Sequence, residues 1–358
     1  MQRSERRGRL REVAQLFLWL GVIGVGGPAA HIAMMRRRVV QQRQWVSEDD
    51  FAQMVGACAL VPGPNSTEMA MALGARRAGW RGLLAGGASF IAPAFVIVCV
   101  LSWVYEDLLT SELIADIRRW VVPIVAALVL DALWSLRTTA LRDRSDVLVV
   151  ALAVLGVAAG LPELLVLLMV GIAAILLRTT VMNGGAGVVG MAAAIAAPSL
   201  LKLFLVFLQI GSVIYGSGYV LLVFLDVEIV GRGWITPEVL LDAISIGQFT
   251  PGPVFTTATF IGWQINGMWG AALATLGIFG PSFLFTVLIE RFMTWSQAST
   301  VFAAFLRGVS SGSIALMGVV MWRLADEAFV DMVTVGEFVV VLVFVQLFRY
   351  RQRIQQSR

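Results

Sequence analysis

The stretch LVPGPNSTEMA, residues 60–70, places two prolines around a glycine inside an apolar segment. A second copy of the motif, FTPGPVFTTAT, occupies residues 249–259. Proline has no backbone N–H, and a Pro-Gly-Pro run cannot continue a helix, so we expect a helix to break at each motif. Side chains that form hydrogen bonds follow each break, and they are unusual in so apolar a chain.

The composition predicts an all-α integral membrane protein, a polytopic helical bundle. Hydrophobic residues make up 58% of the 358 residues, charged residues 14%, and the mean hydropathy is +0.84. Soluble domains are about 25% charged. The 35 glycines favour closely packed helices over a β-barrel. Cys58 and Cys99 both lie in apolar segments, so we expect neither a disulfide nor a metal site, and no cofactor.

Hydrophobic segments follow one another along the whole chain. GGP at 26–28 and the two PGP motifs at 62–64 and 251–253 interrupt three of them. The segments are 13–35, 51–75, 82–105, 120–136, 147–161, 163–177, 186–200, 201–225, 239–266, 268–289, 302–322 and 333–348.

The two halves of the chain match at a nearly constant offset. Pro62 and Pro251 differ by 189, as do Trp45 and Trp234, and further Gly, Pro and Trp pairs differ by 188 after one deleted residue. An ordered series of this kind indicates an internal duplication. We therefore expect an N-terminal repeat over 1–145, connecting membrane helices over 146–200, a C-terminal repeat over 201–348 and a basic cytoplasmic tail over 349–358.

Arginine clusters at 3–11, 36–43 and 76–81 predict the topology. The positive-inside rule puts all three on the cytoplasmic side, which requires segments 13–35 and 51–75 to enter the membrane and return. Each arm of about 11–12 residues would reach roughly 17 Å, about half of the hydrocarbon core. Two ordinary kinked spanning helices are the alternative. The basic C-terminus then implies inverted repeats with both termini cytoplasmic, provided that the region 178–200 supplies an odd number of crossings. The basic N-terminus resembles a signal peptide, but we expect it to be retained because its apolar run belongs to a repeat.

A helix that restarts after Pro64 directs free N–H groups and the positive end of its dipole toward the middle of the membrane, which is a site for an anion. The side chains that follow add further donors. A plain kink with hydroxyl caps is the structural alternative. The residues expected to bind the anion at the two motifs are Pro62, Gly63, Pro64, Asn65, Ser66, Thr67, Pro251, Gly252, Pro253, Thr256 and Thr257. The GGP segment and its counterpart are expected to complete the site with Gly26, Gly27, Pro28, Tyr215, Gly216, Ser217 and Gln248.

Five ionisable residues are candidates for proton coupling or for charge pairing. Glu68 is either a capping-box acid or a carboxylate that takes up a proton when the anion leaves. His31 either titrates near neutral pH or serves as a fixed hydrogen-bonding group. Arg76 and Arg77 either pair with Glu68, attract anions or anchor the surface. Asp131 is either a proton relay or the partner of an arginine elsewhere.

Long motifs in both halves resemble the chromate ion transporter family, in its long, two-domain type. They include GGPAAHIAMMRR, LVPGPNSTEMAMALGARRAGWRGLLAGGASFIAPA, GSVIYGSGYVLL and DAISIGQFTPGPVFTTATFIG. The resemblance implies export of chromate from the cytoplasm, with sulfate as a related anion and with the proton gradient or anion exchange as the driving force. It also implies the inner, plasma membrane of a bacterial type of cell.

The function predicted from the sequence is secondary active transport of chromate or sulfate with proton coupling. The alternatives are an oxyanion channel built from the same broken helices and a transporter for sulfate uptake. An enzyme or receptor is not expected, because the chain has no nucleotide-binding loop and no metal-ligand cluster. Protons, the oxyanion and membrane lipid are the expected partners, and nucleic acid is not. Glycine-rich faces would pack the halves together or the subunits of a homodimer.

Overall fold

The protein was described from a computed structural model. The structure describes residues 2–25, 27–58, 62–108, 143–159, 161, 163–178, 198–214, 220–298 and 331–356, together with isolated residues within 120–134 and 308–318. Within these residues the regular elements are helical and no strand occurs. The predicted all-α class is therefore confirmed.

Four helices and a π-helical segment form the first part of the chain. Ser47 precedes α3, and its hydroxyl accepts a hydrogen bond from the Asp50 N–H at 3.1 Å, which satisfies one of the free donors at the helix start. The elements are α1 (Gln2–Ile23), α2 (Gly27–Arg36), the π-helical segment Arg37–Gln42, α3 (Glu48–Cys58) and α4 (Asn65–Leu108).

The later helices begin in similar ways. The Ser199 hydroxyl accepts a hydrogen bond from Lys202 N–H, and the Thr236 hydroxyl accepts one from Val239 N–H. The elements are α5 (Arg144–Ala158), α6 (Glu163–Arg178), α7 (Leu200–Val213), α8 (Val220–Leu225), the π-helical segment Asp226–Val230, α9 (Pro237–Phe249), a 3₁₀ turn (Val254–Thr256), α10 (Thr257–Ala298) and α11 (Met332–Gln356).

Two described stretches are long and apolar enough to cross a membrane, by length and composition. They run from Asn65 to Tyr105 and from Val254 to Val287. Apolar side chains on both stretches are exposed, among them Val96, Trp103 and Leu284. Such faces suit contact with lipid.

α4 and α10 each contain a sharp turn that folds the helix back on itself. Ala78 and Gly79 leave the helical conformation in α4, with φ 67° at Gly79. In α4 the two arms approach so closely that a Cβ on Gly82 would lie 2.0 Å from the Gly74 carbonyl oxygen. Asn266 and Gly267 form the equivalent turn in α10, with φ 55° at Gly267. Close backbone approach of this kind is how helices pack inside membranes, where burial of apolar surface gives little driving force.

The core around α1 follows the helical period. Val13, Leu16, Phe17 and Leu20 are fully or almost fully buried, and their i, i+3, i+4, i+7 spacing puts them on one face. They pack in one cluster with buried side chains of α3 and α4. The other members of the cluster include Met35, Val39, Phe51, Met54, Cys58, Met69, Leu73 and Phe90.

The chain forms two compact units, and each unit combines two separate parts of the sequence. Unit 1 contains Met1–Glu106 and Met191–Thr300, and unit 2 contains Asp107–Gly190 and Val301–Arg358. The predicted domains follow the order of the duplication along the chain, whereas each compact unit takes one part from before residue 191 and one part from after it.

Candidate functional site

The first PGP motif lies between α3 and α4, and its glycine contacts the second half of the chain. Gly63 has φ 138°, a conformation that favours glycine. Its N–H donates a hydrogen bond to the Ile214 carbonyl at 2.8 Å. The Pro64 carbonyl accepts hydrogen bonds from the Thr67 and Glu68 N–H groups at the start of α4. The break therefore keeps its backbone partly bonded within itself and partly across the halves.

The second PGP motif makes the reciprocal contact. Gly252 has φ 105°, and its N–H donates to the Gly24 carbonyl at 2.7 Å. Gly24 follows the end of α1, and Ile214 follows the end of α7. In each case the glycine of a PGP motif is bonded to the end of the first helix in the other half.

His31 joins this second contact. Its Nε2 lies 3.0 Å from the Gly24 carbonyl oxygen, and its ring meets Phe90 edge-on at 5.3 Å. A carbonyl oxygen only accepts hydrogen bonds, so Nε2 carries the proton and donates it. Nδ1 is buried without a hydrogen-bond partner among the described residues. This geometry agrees with a fixed hydrogen-bonding role for His31.

Glu68 is fully buried beside the first PGP motif. Neither carboxyl oxygen has a partner at hydrogen-bonding distance and angle within the described part of the chain. The Ser282 hydroxyl is the polar group that faces the carboxyl. A Cβ on Gly63 would lie 2.3 Å from both Glu68 Oε1 and Ser282 Oγ, so only glycine leaves room for these two side chains. We call Pro62–Glu68 together with Ser282 the first break site.

Two further polar atoms of the first break site are buried without a partner in the described ranges. They are Asn65 Oδ1 and Thr67 Oγ1. Ser66 is also buried, at 2% exposure. Buried polar groups in proteins are almost always hydrogen-bonded, and an unpaired one costs about 1–3 kcal/mol. A cluster of such atoms at one place is therefore a sign of a group that binds there.

The second break site, which we define as Gly252–Thr257 with Gly24 and His31, differs in its side chains. The Thr256 hydroxyl donates to the Pro253 carbonyl and the Thr257 hydroxyl to the Val254 carbonyl, both at 2.8 Å. Both hydroxyl protons are therefore already engaged in hydrogen bonds within the same turn. A Cβ on Gly252 would lie 2.7 Å from the Ala94 Cβ, and Ala94 matches Ser282 at an offset of 188. The acid and the serine belong to the first break site alone.

The other predicted site residues are distributed as follows. Arg77 pairs with Glu12 at 2.7 Å, and Arg76 is exposed on the same turn. Asp131 is buried in unit 2, where it accepts a hydrogen bond from Gln346 Nε2 at 2.8 Å. Four predicted residues lie outside the described part of the chain: Gly26, Tyr215, Gly216 and Ser217. Among the remaining predicted residues, Pro64 and Pro253 are buried. The half-buried ones are Gly27, Pro28, Pro62, Gln248 and Pro251.

The described residues contain no group of His, Cys, Asp or Glu side chains that would hold a metal ion. The sequence model of the chromate transporter family matches residues 11–177 and 201–355. The chain belongs to the chromate transporter family.

Proteins named as chromate transport proteins are similar to this chain over most of its length. The "Chromate transport protein" of Pseudomonas aeruginosa is 30% identical over 331 residues, which cover 87% of this chain and 80% of the relative. The "Probable chromate transport protein" of Synechococcus elongatus is 30% identical over 342 residues, covering 88% and 85%. The "Chromate transport protein" of Cupriavidus metallidurans is 26% identical over 340 residues, covering 91% and 85%. No solved structure matches the chain.

Membership of the chromate transporter family makes this chain a membrane protein, and the named relatives are transporters rather than enzymes. Sequence reasoning did not find Ser282 among the site residues of this family member. The signal was present, because GPSF at 280–283 and APAF at 92–95 align at an offset of 188 and differ at two positions. One of them, Ala94 against Ser282, is the residue that faces a PGP motif.

Proposed function

We propose that this chain is a secondary active transporter that exports chromate, alone or in exchange for sulfate, through a pair of inverted repeats. The oxyanion binds where helices restart after the two PGP motifs, and Glu68 carries the coupling proton. The first break site carries this proposal, because it gathers two buried hydroxyls without a partner among the described residues, Thr67 Oγ1 and Ser282 Oγ, and a buried carboxyl beside a helix start.

Equivalent features at matching positions support a duplication. Gly63 and Gly252 have the same offset of 189 as the starts of the two π-helical segments, Arg37 and Asp226. Positive φ angles at Gly79 and Gly267 are separated by 188. Local backbone geometry of this kind is hard to repeat in order by chance.

Contacts across the first helix breaks support re-entrant segments. The Arg38 guanidinium lies 4.1 Å from the Trp19 ring centroid, so the chain after the break lies again beside α1. In the second half the Lys202 ammonium lies 5.7 Å from the Trp234 ring. The Arg77–Glu12 pair extends the pattern, because it joins the turn inside α4 to α1. Hairpins that return to their own side and meet the other half at their tips are the arrangement expected of inverted repeats.

A tetrahedral dianion has no side chains to recognise, so a site can bind it only through donors and positive dipoles. The start of α4 offers such a dipole. Asn65, Ser66 and Thr67 supply side chains at that start. Chromate and sulfate share charge and shape, and one site therefore serves both.

The charge of Glu68 determines whether the anion and the proton move in the same direction. An ionised carboxylate and a dianion repel each other, so an anion close to Glu68 binds better when the carboxyl holds a proton. Anion and proton then move in the same direction when the cycle includes loss of the proton, so an inward proton gradient favours uptake by this cycle. Export then depends on exchange or on the outward gradient of the anion. When Glu68 keeps its proton throughout, the cycle is an exchange of one dianion for another.

Uptake of radiolabelled sulfate and chromate into proteoliposomes tests the proposal. Asn65→Ala and Thr67→Ala, which remove side chains of the first break site whose polar atoms are unpartnered within the described ranges, are compared with Ser102→Ala. Ser102→Ala removes a buried hydroxyl that donates to the Val98 carbonyl within its own helix. We expect saturable uptake shared by the two anions, with the KM raised about tenfold or more in the first two variants and unchanged in the third.

Four outcomes are informative. Stimulation of uptake by unlabelled anion loaded inside the liposome identifies exchange, and stimulation by a pH gradient identifies proton coupling. Flux that does not saturate identifies an oxyanion channel. Normal transport by both break-site variants would show that the PGP motifs are architecture and that the anion binds elsewhere.

A further inference from the structure

A cavity of about 960 Å³ opens beside the turn inside α4. Its lining residues lie eight or more positions along the chain from the residues of either break site. Five arginines from two separate parts of unit 1 line it: Arg7, Arg9, Arg76, Arg77 and Arg81. Among the described lining residues there is no acidic side chain. Glu12, which pairs with Arg77, neutralises one of the five charges. We call this the arginine cavity.

The turn itself does not need these charges. The turn at Asn266 and Gly267 has nearly the same backbone angles as the turn at Ala78 and Gly79. At an offset of 188, the arginines of the first turn have uncharged counterparts: Gln264, Ile265 and Trp269. The positive-inside rule explains why arginines occur on one side of a membrane, but it does not require that two distant segments place them around one cavity.

Exposed tryptophans indicate the level of the cavity in the membrane. Trp80 is 67% exposed next to the cavity, and Trp269 on the equivalent turn is 72% exposed. Tryptophan is enriched at the level of the lipid headgroups. The Arg81 guanidinium lies 5.3 Å from the Trp80 ring, which holds its charge at the same level.

We propose that the arginine cavity binds a tetrahedral oxyanion group, either the phosphate of an acidic lipid headgroup or a free dianion such as sulfate. Guanidinium groups are planar donor forks that bind phosphate and similar oxyanions in pairs of hydrogen bonds. A volume of this size lies at the upper end of small-molecule pockets and holds a headgroup as well as an ion. This site is separate from the two break sites and does not depend on the transport proposal.

Thermal unfolding of the full chain in nanodiscs tests the arginine cavity. The nanodiscs contain phosphatidylcholine, and either sulfate is titrated at constant ionic strength or phosphatidylglycerol replaces part of the lipid. Arg9→Gln/Arg81→Gln removes two cavity charges. Arg37→Gln/Arg43→Gln removes two arginines that do not line the cavity, and Arg43 lies over the Trp45 ring as Arg81 lies over the Trp80 ring, so this variant is the matched control.

Ligand binding to the folded state raises Tm, so each arm reports one source of the oxyanion. We expect the wild type and the control to gain Tm in at least one arm. In Arg9→Gln/Arg81→Gln the apparent dissociation constant in that arm rises about tenfold or more. A gain with phosphatidylglycerol alone identifies a lipid headgroup, and a gain with sulfate identifies a free dianion.

Arg9→Lys/Arg81→Lys keeps the charges without the planar forks and is expected to retain part of the gain. It also provides a second measurement if the glutamine variant unfolds early. The proposal is overturned if well-folded glutamine and control variants give the same titration in both arms, because the stabilising anion then binds somewhere else.

Discussion

Glu68 distinguishes the first break site from the second, where the matching residue is Thr257. It is fully buried opposite the Ser282 hydroxyl, whereas the second break site has threonines and Ala94 at the matching places. An intramembrane acid is costly to keep unless it is paired, shares a proton or serves a function. The described residues offer it no charged partner at salt-bridge distance.

We predict that Glu68→Gln transports sulfate in proteoliposomes but loses the response to an imposed pH gradient. The amide has the size of the protonated acid and cannot release a proton, so only exchange remains. The measurement is the initial rate of uptake with and without the gradient. Glu12→Gln is the control, because it removes an acid of unit 1 that pairs with Arg77 away from the break sites. An equal response to the gradient in Glu68→Gln and the wild type would assign the coupling to another group.

At the scale of the helical element, the fold-back inside α4 depends on the absence of side chains where its arms meet. A Cβ on Gly82 would lie 2.0 Å from the Gly74 carbonyl oxygen, and a Cβ on Gly86 would lie 2.5 Å from the Ala70 carbonyl oxygen. Backbone atoms cannot move aside as a flexible side chain does. The arms must therefore separate to admit even one methyl group.

We predict that Gly82→Ala lowers the Tm of the purified protein, by an amount that corresponds to about 1–3 kcal/mol of overpacking. Gly56→Ala is the matched substitution, since Gly56 lies within α3 with nothing within 4 Å of an added Cβ. It is expected to leave Tm unchanged or to raise it, because alanine favours a helix by about 1 kcal/mol over glycine. Equal Tm changes in the two variants would contradict the close packing of the arms.

Much of this element-level structure follows from local chemistry and could be predicted. The PGP residues at 62–64 lie between Cys58, where α3 ends, and Asn65, where α4 begins. The predicted segments 51–75 and 82–105 also have the turn at Gly79 between them. Proline, glycine and the apolar period act over a few residues, so one sequence is enough to locate them.

The contacts between distant residues could not be predicted in this way. Ser282 faces Glu68 across 214 positions of the chain, and Gln346 donates to Asp131 across 215. The hydrogen bond between His31 Nε2 and the Gly24 carbonyl, on either side of the GGP motif, could not be predicted either. These pairings depend on how helices pack, and the hydrophobic period of a single helix does not specify its neighbour.

At the scale of the whole molecule, the proposed inversion of the repeats would place matching positions on opposite sides of the membrane. Trp80 and Met268 differ by 188, and both are exposed next to the fold-back turns. The native cysteines, Cys58 and Cys99, are buried and can be replaced to give a clean background.

We predict that Trp80→Cys in a Cys58→Ala/Cys99→Ala background reacts with a membrane-impermeant maleimide only from the cytoplasmic side. Met268→Cys should react only from the opposite side. Labelling of right-side-out and inside-out vesicles makes the measurement, and permeabilised vesicles show that both cysteines are reactive. Reaction of both from one side would mean that the repeats are parallel.

The hydrogen bonds that Gly63 and Gly252 make across the halves also bear on how the chain is made. The partner of the Gly63 amide, Ile214, leaves the ribosome 151 residues after Gly63, an interval of roughly eight to thirty seconds at about 5–20 residues per second. Throughout that interval the Gly63 amide lacks its acceptor in the second half, and the Gly24 carbonyl has His31 as a donor but still waits for Gly252. Until the second half is synthesised, water or the insertion machinery must satisfy these backbone groups of the first half. We expect the first half to be most susceptible to quality-control proteases during this interval.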